Sequence, residues 1–197
     1  ISVKQDKLNG AHPKDICILE IKYRGEEMIA SVKKIIGHES DIGSDVLALV
    51  ASAKVPYIFN DNIYEEVNNI NNEVLKEELV GRVDFTQDLV ITIDGDDSKD
   101  FDDAVYLECD EDTYKLHVYI ADVAEYVKEE APLDIEAFKR GTSVYLADRV
   151  IPMLPRKLSN GICSLNEGVE RLVLACIMEI DKKGNLVNYE ICEGVIK

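Results

Sequence analysis

Residues Ile91–Val105 read ITIDGDDSKDFDDAV, and six of the ten positions from Asp94 to Asp103 are aspartate, with Lys99 the one cation among them. Carboxylates this close raise one another's pKa and do not all stay ionised without a counter-charge. Divalent cations supply that charge, and hard oxygen donors select Mg²⁺, Mn²⁺ or Ca²⁺ over zinc or copper. The preceding run, Leu89–Ile93 (LVITI), is apolar and β-rich. It predicts a buried strand with Asp94 at its exit, where a rigid scaffold presents reactive groups on a short loop. Gly95 permits a sharp turn, and Asp100 and Asp102 share a side-chain parity that aims both at one point.

Three readings of the cluster compete. A solvated acidic loop has no need of an aspartate at the end of a buried strand. A calcium loop of the EF-hand kind fails on spacing: Lys99 takes the place reserved for glycine, and Val105 stands where the bidentate glutamate belongs. Metal-assisted phosphoryl chemistry, with two ions ~4 Å apart clamping attacking and leaving oxygens, accommodates both the number and the position of the acids. It is the favoured reading.

Working outward, Asp15–Tyr23 alternates apolar and polar residues, Arg24-Gly25 makes a turn, and Met28–Ile36 returns. Two strands bury too little to stand alone, which predicts the end of an OB-type β-barrel. Ser44 is placed to cap a helix over Asp45–Lys54, stopped before Pro56. Ile63, Val67, Ile70 and Val74 keep helical spacing, interrupted by the NNINN run at Asn68–Asn72. Beyond the aspartates, Ala104–Leu107 and Tyr114–Ile120 read as strands and Pro132–Arg140 as a helix ending at Gly141. Leu172–Ile180 and Leu186–Ile196 read as a hairpin around the DKKGN turn. The expected class is α+β, with residues 1–40 as the barrel tail, 41–83 as a helical connector and 84–197 as a mixed-sheet domain.

The 197 residues are 46% hydrophobic and 31% charged, the balance of a globular chain. No apolar run approaches the ~20 residues of a membrane helix, so no membrane association is expected. Five cysteines without a C-x-x-C pair point to reduced thiols and a cytoplasmic location. His12, His38 and His117 are scattered and form no ligand pair. The net charge of −17 opposes binding to a polyanion unless it is concentrated for a purpose, and much of it lies between Asp94 and Asp103.

ITIDGDDSKDFDDAV resembles the signature of the RNB catalytic domain of bacterial ribonucleases II and R. HVYIADV (His117–Val123), GTSVYLADR (Gly141–Arg149), VIPMLP (Val150–Pro155) and LSNGICSL (Leu158–Leu165) follow in that family's order, closer to the ribonuclease R branch. KKIIGHESDIGSD resembles the exit of the family's second cold-shock domain, which agrees with the barrel tail. The resemblance implies 3′→5′ hydrolysis of single-stranded RNA to nucleoside 5′-monophosphates, with Mg²⁺ or Mn²⁺ and no small-molecule organic cofactor. It lays the family's four functional aspartates, catalytic and metal-binding, on Asp94, Asp100, Asp102 and Asp103. Asp96 and Asp97 receive no role. Tyr145 takes the position of a base-stacking aromatic, the alternative being a core tyrosine. Arg149, Arg156 and Lys157 are candidate phosphate contacts, whereas His117 reads as structural.

Two rivals remain open. DGDDS (Asp94–Ser98) after a strand also resembles the nucleophile motif of haloacid-dehalogenase-type phosphatases, but that leaves Asp100, Asp102 and Asp103 without work. A non-catalytic RNA-binding module is the other. The chain also looks like a fragment, because the resemblance places a later aromatic clamp, a phosphate-contacting arginine and an S1 domain beyond Lys197. The 197 residues alone are therefore expected to release little or no mononucleotide from labelled single-stranded RNA in Mg²⁺. Rapid release in that assay would contradict the expectation.

Overall fold

A computed structural model describes Ser2–Lys197, and the chain divides into two compact units, Ile1–Ile58 with Val144–Ile151, and Phe59–Ser143 with Pro152–Lys197. In the first, β1 (Asp15–Arg24) and β2 (Glu27–His38) form an antiparallel hairpin. Gly25 turns it with φ 66°, a conformation that costs other residues dearly. Two register shifts, at Ile16/Cys17 and Ile18/Leu19, bend the ribbon. Helix α1 (Ser44–Ser52) follows. Its cap is not Ser44, as expected, but Gly43, whose left-handed backbone (φ 78°) takes the capping position and leaves Ser44 buried in the first turn.

In the second unit, helix α2 (Asp61–Asn68) ends where the asparagine run begins. Ile70 and Val74 lie past its end yet still pack on the same core, so their spacing reported burial rather than helix length. A five-stranded sheet runs in the order β3 (Val83–Asp84), β9 (Leu186–Ile196), β8 (Arg171–Asp181), β5 (Thr113–Ala121), β4 (Asp103–Cys109). All neighbours are antiparallel except β3 and β9. The short α3 (Val123–Tyr126) and α4 (Pro132–Arg140) follow β5, and Gly141 closes α4 at φ 73°. The β8–β9 turn is tied by Asp181, whose carboxylate accepts from the amides of Lys183 and Asn185, both at 2.8 Å. The expected α+β class with a mixed sheet is what the structure holds.

Alternation along β8 feeds two cores. Leu172 joins Phe59, Ile63, Leu133 and Leu158 on one face of the sheet. Val173 and Ala175, next in the alternation, join Phe85, Ala104, Tyr119 and Leu165 on the other. Buried His117 sits on that second face with Nδ1 2.9 Å from the Tyr119 hydroxyl, which donates to Asp88 at 2.6 Å. It is structural, as expected.

A second expectation also fails. Leu89–Ile93 forms no strand: Ile91 makes a single antiparallel bridge to Val105, while Leu89 and Ile93 are more than 80% exposed. β-branched content gave the run strand propensity, but β-propensity needs a pleated neighbour to pack on, and only one bridge to the edge strand β4 is made.

Gly194 lies opposite Val83, and a Cβ there would stand 2.7 Å from two ring carbons of Phe85. Overpacking of this kind costs ~1–3 kcal/mol. Gly194→Ala is expected to lower the unfolding free energy by about that amount, read from the midpoint shift in urea.

Candidate carboxylate site

The acidic loop stands just ahead of the edge strand β4 rather than at the end of a buried strand. Ser98 donates its amide to Gly95 O at 2.9 Å, closing a turn that holds Asp96 and Asp97 in solvent. Past Lys99 the backbone is anchored. The amide of Leu165 donates to Phe101 O at 2.9 Å, that of Ala121 to Asp102 O at 2.9 Å, and Asp103 enters β4 opposite Ile120. Phe101 packs on the second core, so an apolar side chain set between acids moors the loop.

Asp94, Asp102 and Asp103 are exposed and Asp100 is half-buried. The pKa of Asp102 is raised, first because its carboxyl is partly screened from water, then by the negative charges of Asp100, Asp103 and Asp94. The acids that act on Asp102 are thus the other three of the expected quartet. They share an electrostatic field but are not closed into a coordination shell: among the described residues, no three His, Cys, Asp or Glu side chains stand together as a metal site. The donors nevertheless suit a hard divalent cation. They are all carboxylate oxygens, and a cation relieves the repulsion that raises Asp102. A cleft of about 500 Å³ beside the loop, lined by Ile91, Thr92, Phe101, Leu165 and Arg171 among others, contains none of these acids in its wall.

Tyr145 lies on β6 (Val144–Tyr145), paired with β7 (Val150–Ile151) in the first unit. Tyr145 is 67% exposed, so in this chain it packs in neither core. Arg149, on the same hairpin, is committed to Asp148, with Nη2 2.7 Å from Oδ2, and its guanidinium lies so close to Gly43 that a Cβ there would overlap it. That pairing holds the Asp148 carboxyl below its usual range, through the hydrogen bond first. Arg156 is exposed in the second unit. Lys157 is not available to phosphate as placed: its ammonium donates to the carbonyls of Val67 (2.9 Å) and Asn68 (3.3 Å) at the end of α2, where cations are favoured.

One residue escaped the sequence reading. Ser164 is fully buried, and its hydroxyl donates to Lys99 O and accepts from Phe101 N, both at 3.0 Å. Its local signal was a small polar residue between Cys163 and Leu165 within the LSNGICSL motif, which does not say what the hydroxyl bonds.

A group whose folded pKa is raised above its unfolded value opposes folding when charged. Its favourable contribution is complete below the unfolded pKa and is lost as pH rises through the folded one. Asp102→Asn is therefore expected to raise Tm at neutral pH in chelator. The difference should vanish below the ordinary aspartate pKa of ~3.9, as thermal melts across that range would show.

Comparison with known proteins places these features in a family. The RNB domain model matches residues 82–197 and a cold shock domain model residues 1–60. Ribonuclease R 1 of Lactococcus lactis is 47% identical over 173 residues, covering 87% of this chain and 21% of the relative. Ribonuclease R of Thermotoga maritima is 46% identical over 201 residues, covering 99% of this chain and 28% of the relative. The structure of Mycoplasma genitalium RNase R in complex with double-stranded RNA superposes with a TM-score of 0.92 at 30% identity, covering 99% of this chain and 35% of that one. The chain thus spans a fifth to about a third of the length of these proteins. With well over half of its residues matched by that model, the chain belongs to the RNB domain family, on its ribonuclease R side.

Proposed function

We propose that the longer protein of which this chain forms part is a 3′→5′ exoribonuclease acting on single-stranded RNA, with Mg²⁺ or Mn²⁺ held by Asp94, Asp100, Asp102 and Asp103. The observation that carries the reading is the anchored backbone of residues 99–103, where Ser164, Leu165 and Ala121 bond Lys99 O, Phe101 O and Asp102 O and so fix Asp100, Asp102 and Asp103 at the entry to β4. Asp96 and Asp97, which the family motif leaves without a role, stand instead in the solvent-exposed turn closed by Ser98 and Gly95. An RNA substrate agrees with the M. genitalium relative, solved with RNA bound.

In the reaction, water adds to the phosphorus of the last phosphodiester, the P–O3′ bond breaks, and a nucleoside 5′-monophosphate leaves a shortened RNA ending in a 3′-hydroxyl. A bound divalent ion supplies Lewis-acid activation of the phosphodiester and of the attacking water. The carboxylates supply negative charge that a dication needs, on a backbone anchored from Phe101 onward. Tyr145 offers an exposed ring for a base, and stacking of that kind is worth ~1–3 kcal/mol without sequence preference. Of the two arginines, Arg156 is exposed and, among the described residues, makes no salt bridge, whereas Arg149 shares itself with Asp148.

The phosphatase alternative leaves Asp100, Asp102 and Asp103 without a role, although these are the acids on the anchored backbone. The non-catalytic alternative separates from the nuclease in one experiment. In the longer protein, Asp102→Asn is expected to slow mononucleotide release about 100-fold or more, the scale on which a metal's several kcal/mol act, while RNA affinity stays within a factor of about three. Unchanged release would remove Asp102 from the site.

A further inference from the structure

Ser164 carries more than its own burial. It is 0% exposed, and a buried hydroxyl without partners is costly. Both its partners belong to the acidic loop, and they flank one residue: the carbonyl of Lys99 precedes Asp100 and the amide of Phe101 follows it. In an extended backbone, the carbonyl of residue i−1 and the amide of residue i+1 point to the same side. One hydroxyl bonded to both therefore fixes the two peptide planes around residue i, and with them the direction of its Cα–Cβ bond. Ser164 is itself immobilised, since its carbonyl accepts from Nε of the buried Arg171 at 2.8 Å and its amide donates to Gly161 O at 3.1 Å. Its neighbour Leu165 adds the bond to Phe101 O and sits in the second core. The clasp joins residues more than sixty positions apart in sequence.

We propose that Ser164 is a positioning residue for the carboxylate site, its hydroxyl setting the backbone of Asp100 so that this carboxylate serves the divalent ion. The inference rests on the divalent-ion reading given above. It differs from a packing role, which would lower stability and leave ion affinity alone. Groups that orient a metal's ligands typically contribute 10–100-fold in affinity.

The test uses the longer protein and Mn²⁺, with bound and free ion separated by electron paramagnetic resonance. Ser164→Ala is expected to weaken Mn²⁺ binding about tenfold or more, and to speed hydrogen exchange at the Phe101 amide, which loses its acceptor. Ser159→Ala is the control, because that hydroxyl bonds Asn160 and does not reach the loop; its affinity should match the unsubstituted protein. If Ser164→Ala does not fold, Ser164→Cys, which keeps the side-chain volume with a weaker donor, is judged by the same two measurements. A folded Ser164 variant that binds Mn²⁺ like the unsubstituted protein overturns the inference and leaves the divalent-ion reading standing. An unsubstituted protein that binds no Mn²⁺ overturns both.

Discussion

Like charges push apart, so an acidic loop keeps a shape only if its backbone is held from outside. Here the holding is done by three backbone acceptors in succession, Lys99 O, Phe101 O and Asp102 O, which receive Ser164, Leu165 and Ala121. The loop then runs into β4 as an edge strand, and the sheet becomes its foundation. A rearrangement of β5 or of the Ser164 segment would reach the carboxylates directly, because the anchored carbonyls belong to Asp102 itself and to the residues on either side of Asp100. The chemistry proposed for the quartet depends on this arrangement more than on any carboxylate alone.

The foundation works because, where β8 begins, the two faces of the sheet are covered by different cores, at Leu172 and at Val173. Successive residues of β8 serve different cores, so the strand is fixed against rotation about its own axis. β5 lies between β8 and β4 and passes that rigidity to the edge. Arg171 begins β8 and also donates to Ser164 O, which links the first residue of a core strand to the clasp on the loop.

Most regular elements were legible because local chemistry and burial agreed. Helix α4 has proline at its start and glycine at its end, and the β8–β9 turn has an aspartate that ties its own amides. The residue types of the acidic run suggested a hard-cation site, whereas the choice of Asp94, Asp100, Asp102 and Asp103 within it came from the family resemblance. Leu89–Ile93 misled because an apolar, β-branched run carries propensity without showing whether a partner strand stands beside it. Ser44 misled because a glycine one position earlier can enter the left-handed conformation and take over the cap. Ser164 was illegible for a different reason. Its meaning lies in a tertiary contact across more than sixty residues, and the LSNGICSL motif that contains it does not name its partners.

The β6–β7 hairpin bears on how such proteins can be taken apart. Sequence models divide the chain into contiguous blocks, yet residues 144–151, inside the RNB match, pack with the first 58 residues, where Arg149 rests on Gly43. The cold-shock portion is therefore not a cassette with two ends. A chimaera that exchanges only its first sixty residues between relatives would set a foreign Gly43 seat under a resident hairpin, so recombination points in this family should be chosen with the hairpin travelling alongside the barrel.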